Sequence, residues 1–145
     1  MKKTVDVFKC MLVKETEIRY EAVGSPEDAA TLFRAFGLAD AAEEHFVMAC
    51  LASDGSVTAM SEVSHGTLDS SLVSPREVYK RAVLCNASRI ILAHNHPSGS
   101  LKPSAADIAV TRQLSESGEL LGIPVVDHLI LTLNGQYSFK QAGLL

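Results

Sequence analysis

The chain has 145 residues, 47% hydrophobic and 21% charged, the balance of one ordinary globular domain with enough apolar side chains for a core. Its 17 acidic residues outnumber 13 basic ones, a formal charge of −4. Because the Lys and Arg are scattered rather than clustered, general attraction to nucleic acid phosphates is disfavoured. No apolar run approaches the roughly 20 residues of a membrane helix, and Met1-Lys2-Lys3-Thr4-Val5-Asp6 puts an acid before any apolar stretch, so no signal peptide is read. Cys10, Cys50 and Cys85 are odd in number and widely spaced, each in an apolar run; they read as reduced core thiols of a cytoplasmic protein.

In chain order, Val5 to Ala22 is rich in Val, Ile, Thr, Leu and Tyr and predicts one or two strands. Ser25-Pro26-Glu27-Asp28 announces a helix, with Ser as N-cap, Pro at the first position and acids in the first turn. Ala29, Leu32, Phe33 and Phe36 keep helical spacing, and Gly37 ends it. His45 to Ala52 is apolar on both alternating sets, as in a strand covered on both faces. Asp54-Gly55 turns it into Ser56–Val63. Ser74-Pro75-Arg76-Glu77 predicts a second helix with a capping box, burying Val78, Ala82 and Cys85. Arg89–Ala93 is another doubly covered strand, followed by a polar loop, His94 to Pro103, and a third helix from Ser104. Ile123–Leu133 is a further strand, turned by Asn134-Gly135 into Gln136–Phe139. Buried strands interleaved with helices predict a single three-layer α/β/α sandwich with a mixed sheet, residues 25–145, preceded by a strand extension over 1–24.

The chemistry lies in His94-Asn95-His96-Pro97-Ser98-Gly99-Ser100-Leu101-Lys102-Pro103-Ser104-Ala105-Ala106-Asp107. Side chains two apart in extended chain point the same way, so His94 and His96 converge, and imidazole is a frequent zinc ligand. In a helix starting after Ser104, Asp107 shares a face with Val110, Leu114 and Leu121 at about 100° per residue. An inward carboxylate is costly unless neutralised. The helix N-terminus supplies about 0.3–1 kcal/mol, and a cation held by two histidines supplies more. Two His and one carboxylate leave an open tetrahedral position for water, the pattern of a catalytic zinc site. The water needs a base; Glu44, just before the buried strand, is a candidate, and spacing does not separate it from Glu43 and Glu62.

The run H-x-H-P-x6-S-x2-D with an upstream glutamate resembles the JAMM (MPN) metalloprotease motif. The surroundings resemble the RadC family more closely: Gly66-Thr67-Leu68, Pro75-Arg76-Glu77-Val78, His94-Asn95-His96-Pro97-Ser98-Gly99, Asp127-His128-Leu129-Ile130 and Gly143-Leu144. The resemblance runs from about Ser25 to the C-terminus. It implies a JAMM fold similar to cytidine deaminase and one Zn²⁺ per chain on His94, His96 and Asp107. It further implies Ser104 steadying a tetrahedral intermediate and Glu44 as acid/base. Asn95 stands where many JAMM proteases have Ser. Full-length RadC proteins carry an N-terminal helix-hairpin-helix module of a DNA-binding type, which so short a chain is expected to lack.

Three other chemistries find no motif. A serine hydrolase needs a G-x-S-x-G elbow, a zinc deaminase H-x-E with P-C-x-x-C, and a phosphate loop G-K-[ST]. His45 and His65 read as solvated or packed histidines, and His128, beside Asp127, as packing or as support behind a metal ligand. Ser104-x-x-Asp107 also fits an ordinary capping box. The expectation is a zinc-dependent hydrolase of amide or isopeptide bonds, acting on a peptide or protein. The alternatives are a non-catalytic metal-stabilised binding module and an accessory factor in DNA repair or processing. The substrate loops, Gly66–Ser74 and His94–Pro103, spell no particular partner. Charge lends DNA association no support, nothing points to a membrane, and oligomeric state is not written in the chain.

Overall fold

The computed structural model describes residues 1–66 and 73–145; Thr67 and Leu68 of the family-like motif, and with them most of the Gly66–Ser74 loop, lie outside the described residues. The elements are α1 (Pro26–Ala35), β1 (Glu44–Leu51), β2 (Val57–Gly66), α2 (Pro75–Leu84), β3 (Arg89–Asn95), α3 (Ala105–Leu121), β4 (Val125–Thr132) and β5 (Gly135–Ser138). The sheet order is β2-β1-β3-β4-β5. Only β3 and β4 pair in parallel, with α3 as their crossover, and the other neighbours are antiparallel. The sheet is therefore mixed, as expected.

Alternation along the strands sorts the core into two layers. On one face α1 places Ala29, Leu32 and Phe33 against Val47, Ala49, Ile91, Ala93, Leu129 and Leu131. On the other, Val78, Tyr79 and Ala82 of α2 and Leu114 of α3 meet Phe46, Met48, Cys50, Ile90 and Leu92. Tyr79 links the two helices by donating its hydroxyl to the Leu114 carbonyl at 2.8 Å, and burial pushes its pKa up to about 12. At the other layer, Arg34 donates to the carbonyls of Thr132 and Gly135 at 2.8 and 2.9 Å, fastening the end of α1 to the β4–β5 turn. Among the described residues no helix is long and apolar enough to cross a membrane.

Four expectations need correction. Residues 1–24 form no strand, and most of their side chains are exposed; among the described residues Tyr20 ties them to the sheet, its hydroxyl meeting the Val57 backbone at 3.1 Å, and Val23 packs on the α1-face core. Val5, Val7 and Met11 have the right composition, but strand preference expresses itself only against cross-strand and core neighbours, and here there are none. Cys10 lies in that segment and is exposed, Cys85 is half-buried, and only Cys50 is a core thiol. The α2 cap is half a capping box: Ser74 accepts from the Glu77 N–H at 3.4 Å. The Glu77 carboxylate instead goes forward to Lys80 and Arg81 at 2.7 and 3.1 Å, because two cations on the next turn outcompete one amide. Finally, β3 runs on through Asn95, so His94 belongs to the strand and not to the loop.

Candidate metal centre

The centre forms where β3 ends beside the start of α3. His94 is fully buried, with its ring stacked on Phe46 at 6.0 Å between centroids. His96 follows on the same face; its N–H donates to the Leu131 carbonyl at 3.0 Å, extending the parallel ladder by one bond. The chain then turns, the Gly99 N–H closing on the His96 carbonyl at 3.0 Å with Gly99 at φ +83°, a conformation glycine adopts without strain. That turn brings the Ser100 carbonyl 2.7 Å from His96 Nδ1.

Across the cleft Ser104 caps α3. Its hydroxyl accepts from the Asp107 N–H at 3.0 Å, and the Asp107 carboxylate accepts from the Ser104 N–H at 2.8 Å. The capping box is complete, and it aims the carboxylate inward. Asp107 Oδ1 lies 3.4 Å from His94 Nε2, Asp107 Oδ2 lies 3.3 Å from His96 Nε2, and the two imidazole nitrogens are 3.0 Å apart. A tetrahedral zinc with 2.0–2.1 Å bonds has ligand–ligand edges of about 3.3 Å. Among the described residues this is the only group of three or more potential ligands whose donor atoms converge in this way.

Proton bookkeeping strengthens the fit. The Thr111 hydroxyl donates its one hydrogen to the Asp107 carbonyl at 2.7 Å and so accepts from His128 Nδ1 at 2.6 Å. Burial, with His94 as a like-charged neighbour, holds the His128 pKa well below its ordinary value. A neutral His128 then offers Nε2 as acceptor to His94 Nδ1 at 2.8 Å. His96 Nδ1 likewise donates to Ser100. With His94 and His96 neutral, both Nδ1 atoms carry the hydrogens, and both Nε2 lone pairs face each other and a carboxylate. Such a set calls for a cation at its centre.

Burial opposes ionisation of Asp107, but hydrogen bonding and charge from His94, together with Ser104, outweigh it and hold its carboxyl well below the ordinary range. The positive charge that keeps Asp107 an anion at neutral pH is that of a protonated His94 opposite it; a bound metal ion would supply the same charge.

Register places the glutamates. Phe46 pairs with His94 across the antiparallel β1–β3 ladder, so Glu44, two residues earlier on the same face, comes level with His96. It shares with His96, Ser100, Lys102, Ser104 and Asp107 a cleft of about 300 Å³. Glu43 is exposed outside that cleft. The Glu62 carboxylate meets His45 Nδ1, and its other oxygen lies 3.8 Å from His65 Nδ1; His45 and His65 are partners across β1 and β2. The histidines expected to be bland are thus a surface cluster.

Sequence reasoning missed Thr111, whose signal was its i+4 spacing from Asp107. It left His128 undecided, since helix-to-strand contact has no local signature. Asp127 accepts from the His128 and Lys140 N–H groups at 2.7 and 3.1 Å and from the Ser138 hydroxyl at 2.6 Å. These bonds seat Phe139 flat on His128, 4.7 Å between centroids.

Residues 23–144 match the family model described as RadC-like JAB domain. The chain is 45% identical over 124 residues to a "UPF0758 protein" of Desulfitobacterium hafniense, covering 85% of this chain and 54% of that protein. It is 43% identical over 123 residues to one of Rubrobacter xylanophilus, 85% and 53% of the two chains. The chain spans about half the length of these curated relatives. His94, His96 and Asp107 fit a site of the JAMM type on such a domain, and by sequence the chain belongs to the RadC family.

Proposed function

We propose that this domain is a metal-dependent hydrolase that cleaves an amide or isopeptide bond in a peptide or protein. The observation that carries this reading is the convergence of His94, His96 and Asp107, whose donor atoms lie within 4.8 Å of one another, beside a cleft that also holds Glu44. A divalent ion there, zinc by the donor set and one per chain, supplies Lewis acidity for a carbonyl and acidity for a water. Glu44 takes the proton of the attacking water and hands it to the departing amine nitrogen as the C–N bond breaks. Ser104, whose oxygen already accepts the Asp107 N–H, keeps its own proton to donate to the oxygen of the attacked carbonyl. The free thiols of Cys10, Cys50 and Cys85 suit a reducing compartment such as the cytoplasm.

The test uses zinc-loaded protein and a panel of N-acetylated, C-amidated peptides that includes isopeptide-linked lysines, with new amines read by mass spectrometry. Cleavage is expected, lost to chelation, and reduced by about 10²–10⁴-fold in Glu44→Gln at unchanged zinc content. Cleavage at the parental rate by Glu44→Gln removes Glu44 from the mechanism. Bound zinc with no peptide cleaved favours a binding module instead, and DNA binding with a salt slope would favour a role in DNA processing.

A further inference from the structure

Asn95 stands between the two histidines and, by strand alternation, turns to the opposite face, where it is 1% exposed. Its amide oxygen accepts the His45 N–H at 2.7 Å. Its amide nitrogen donates to the carbonyls of Glu43 at 2.9 Å and Ala41 at 3.2 Å. All three partners are backbone groups at the start of β1 or just ahead of it. The β1–β3 ladder runs from Leu51 opposite Arg89 to Phe46 opposite His94 and goes no further. Beyond that rung the Asn95 side chain takes the place of main chain, spending both N–H hydrogens and an oxygen lone pair on the neighbouring strand.

Glu44 lies between two of the tethered residues. Its side chain faces the cleft while the peptide groups on either side of it, the Glu43 carbonyl and the His45 N–H, are held from behind by one buried amide. The same strand that aims both imidazoles thus also fixes where the glutamate begins.

We propose that Asn95 is a positioning residue for Glu44, setting its carboxylate against the His94–His96–Asp107 centre; this rests on the reading of Glu44 as the base. The chemistry specifies the side chain. Ala makes none of the three bonds, and Asp keeps the acceptor for His45 while losing both donations. A misplacement of about 1 Å at a reacting group is worth as much as 10²-fold, so loss of the tether acts on function in addition to what its three hydrogen bonds contribute to folding.

Two measurements test it. On metal-free protein, amide hydrogen exchange at His45 is expected to quicken at least about tenfold in Asn95→Ala, with the β3 and β4 interior amides unchanged. On zinc-loaded protein, the probe is acetohydroxamate, a chelating group that sheds a proton to a neighbouring carboxylate when it binds. Its affinity is expected to fall about tenfold in Asn95→Ala, as in Glu44→Gln, with no further loss in the double variant. Zinc stays at one per chain in all of them. Where Asn95→Ala does not fold, Asn95→Asp takes its place in the affinity measurement.

Unchanged exchange at His45 overturns the tether. Hydroxamate affinity within about twofold of the parent in Asn95→Ala, alongside a weakened Glu44→Gln, overturns the positioning role and leaves Glu44 as base. Additive losses in the double variant overturn it as well, since they show a general loosening that does not act through Glu44. A silent Glu44→Gln removes the reading beneath it.

Discussion

On the α1 face of the sheet, β3 contributes Ile91 and Ala93 to a layer closed by Phe33, Leu129 and Leu131. On the opposite face the same strand contributes Ile90 and Leu92 and then, at its end, His94, which meets His128, His96 and Asp107. The first layer is cohesive by apolar burial, which is indifferent to pH and metal. The second is apolar for most of its length and ends in a polar network that links His128, His94, His96 and Asp107. One strand can serve both because its side chains alternate, and a cation site placed at a strand end costs little of the core behind it.

The largest expected effect tests the separateness of the two layers. Phe33→Ala, on the α1 face, should cost about 3–5 kcal/mol in denaturant unfolding, yet leave zinc affinity of the folded fraction unchanged in a competition titration. A parallel loss of zinc affinity would show that the two faces are mechanically coupled. Next in size, zinc at one hundred times its dissociation constant should stabilise the protein by about 2.7 kcal/mol. In His96→Ala that increment should vanish from the thermal unfolding curve; if it persists, the ion binds elsewhere.

A pH effect should belong to the second face alone. The folded-state pKa of His128 is depressed below its unfolded value, so below about pH 6.5 the unfolded chain takes up a proton that the folded one refuses. Stability is then full above that pH and should fall on acidification by about 1.4 kcal/mol per unit. The measurement is urea unfolding of chelator-treated protein between pH 7 and 5; His128→Gln should flatten the slope, and an unflattened slope assigns the proton to another group. The smallest effect is at the cap. Ser104→Ala loses the bond to the Asp107 N–H and should cost about 1 kcal/mol in stability, while the proposed hydrolysis falls further than zinc affinity does. Equal losses would make Ser104 a helix cap and nothing more.

The helix starts were readable because each depends on residues a few positions apart: Ser25 with Pro26, Ser74 with Pro75, Ser104 with Asp107. The site was readable for a similar reason. His94 and His96 share a face by strand period, and a capping box aims Asp107, so three candidate ligands follow from two local geometries. Strand ends were less legible, since β3 runs to Asn95 only because β4 is there to receive the His96 N–H at Leu131.

Local pattern, then, determined the periodicity, the caps and the candidate ligand triad of this protein, all of which rest on interactions within a turn or two of chain. Tertiary structure alone decided three things. It left the β-rich residues 1–24 without a sheet to join, and it ran the path from His94 through His128 to Thr111 across 34 and 17 residues of sequence. It also set Glu44, rather than Glu43 or Glu62, in the cleft. Each depends on which strand lies beside which, and pairing between distant segments is chosen by the summed burial of the whole sheet, which no short window of sequence contains.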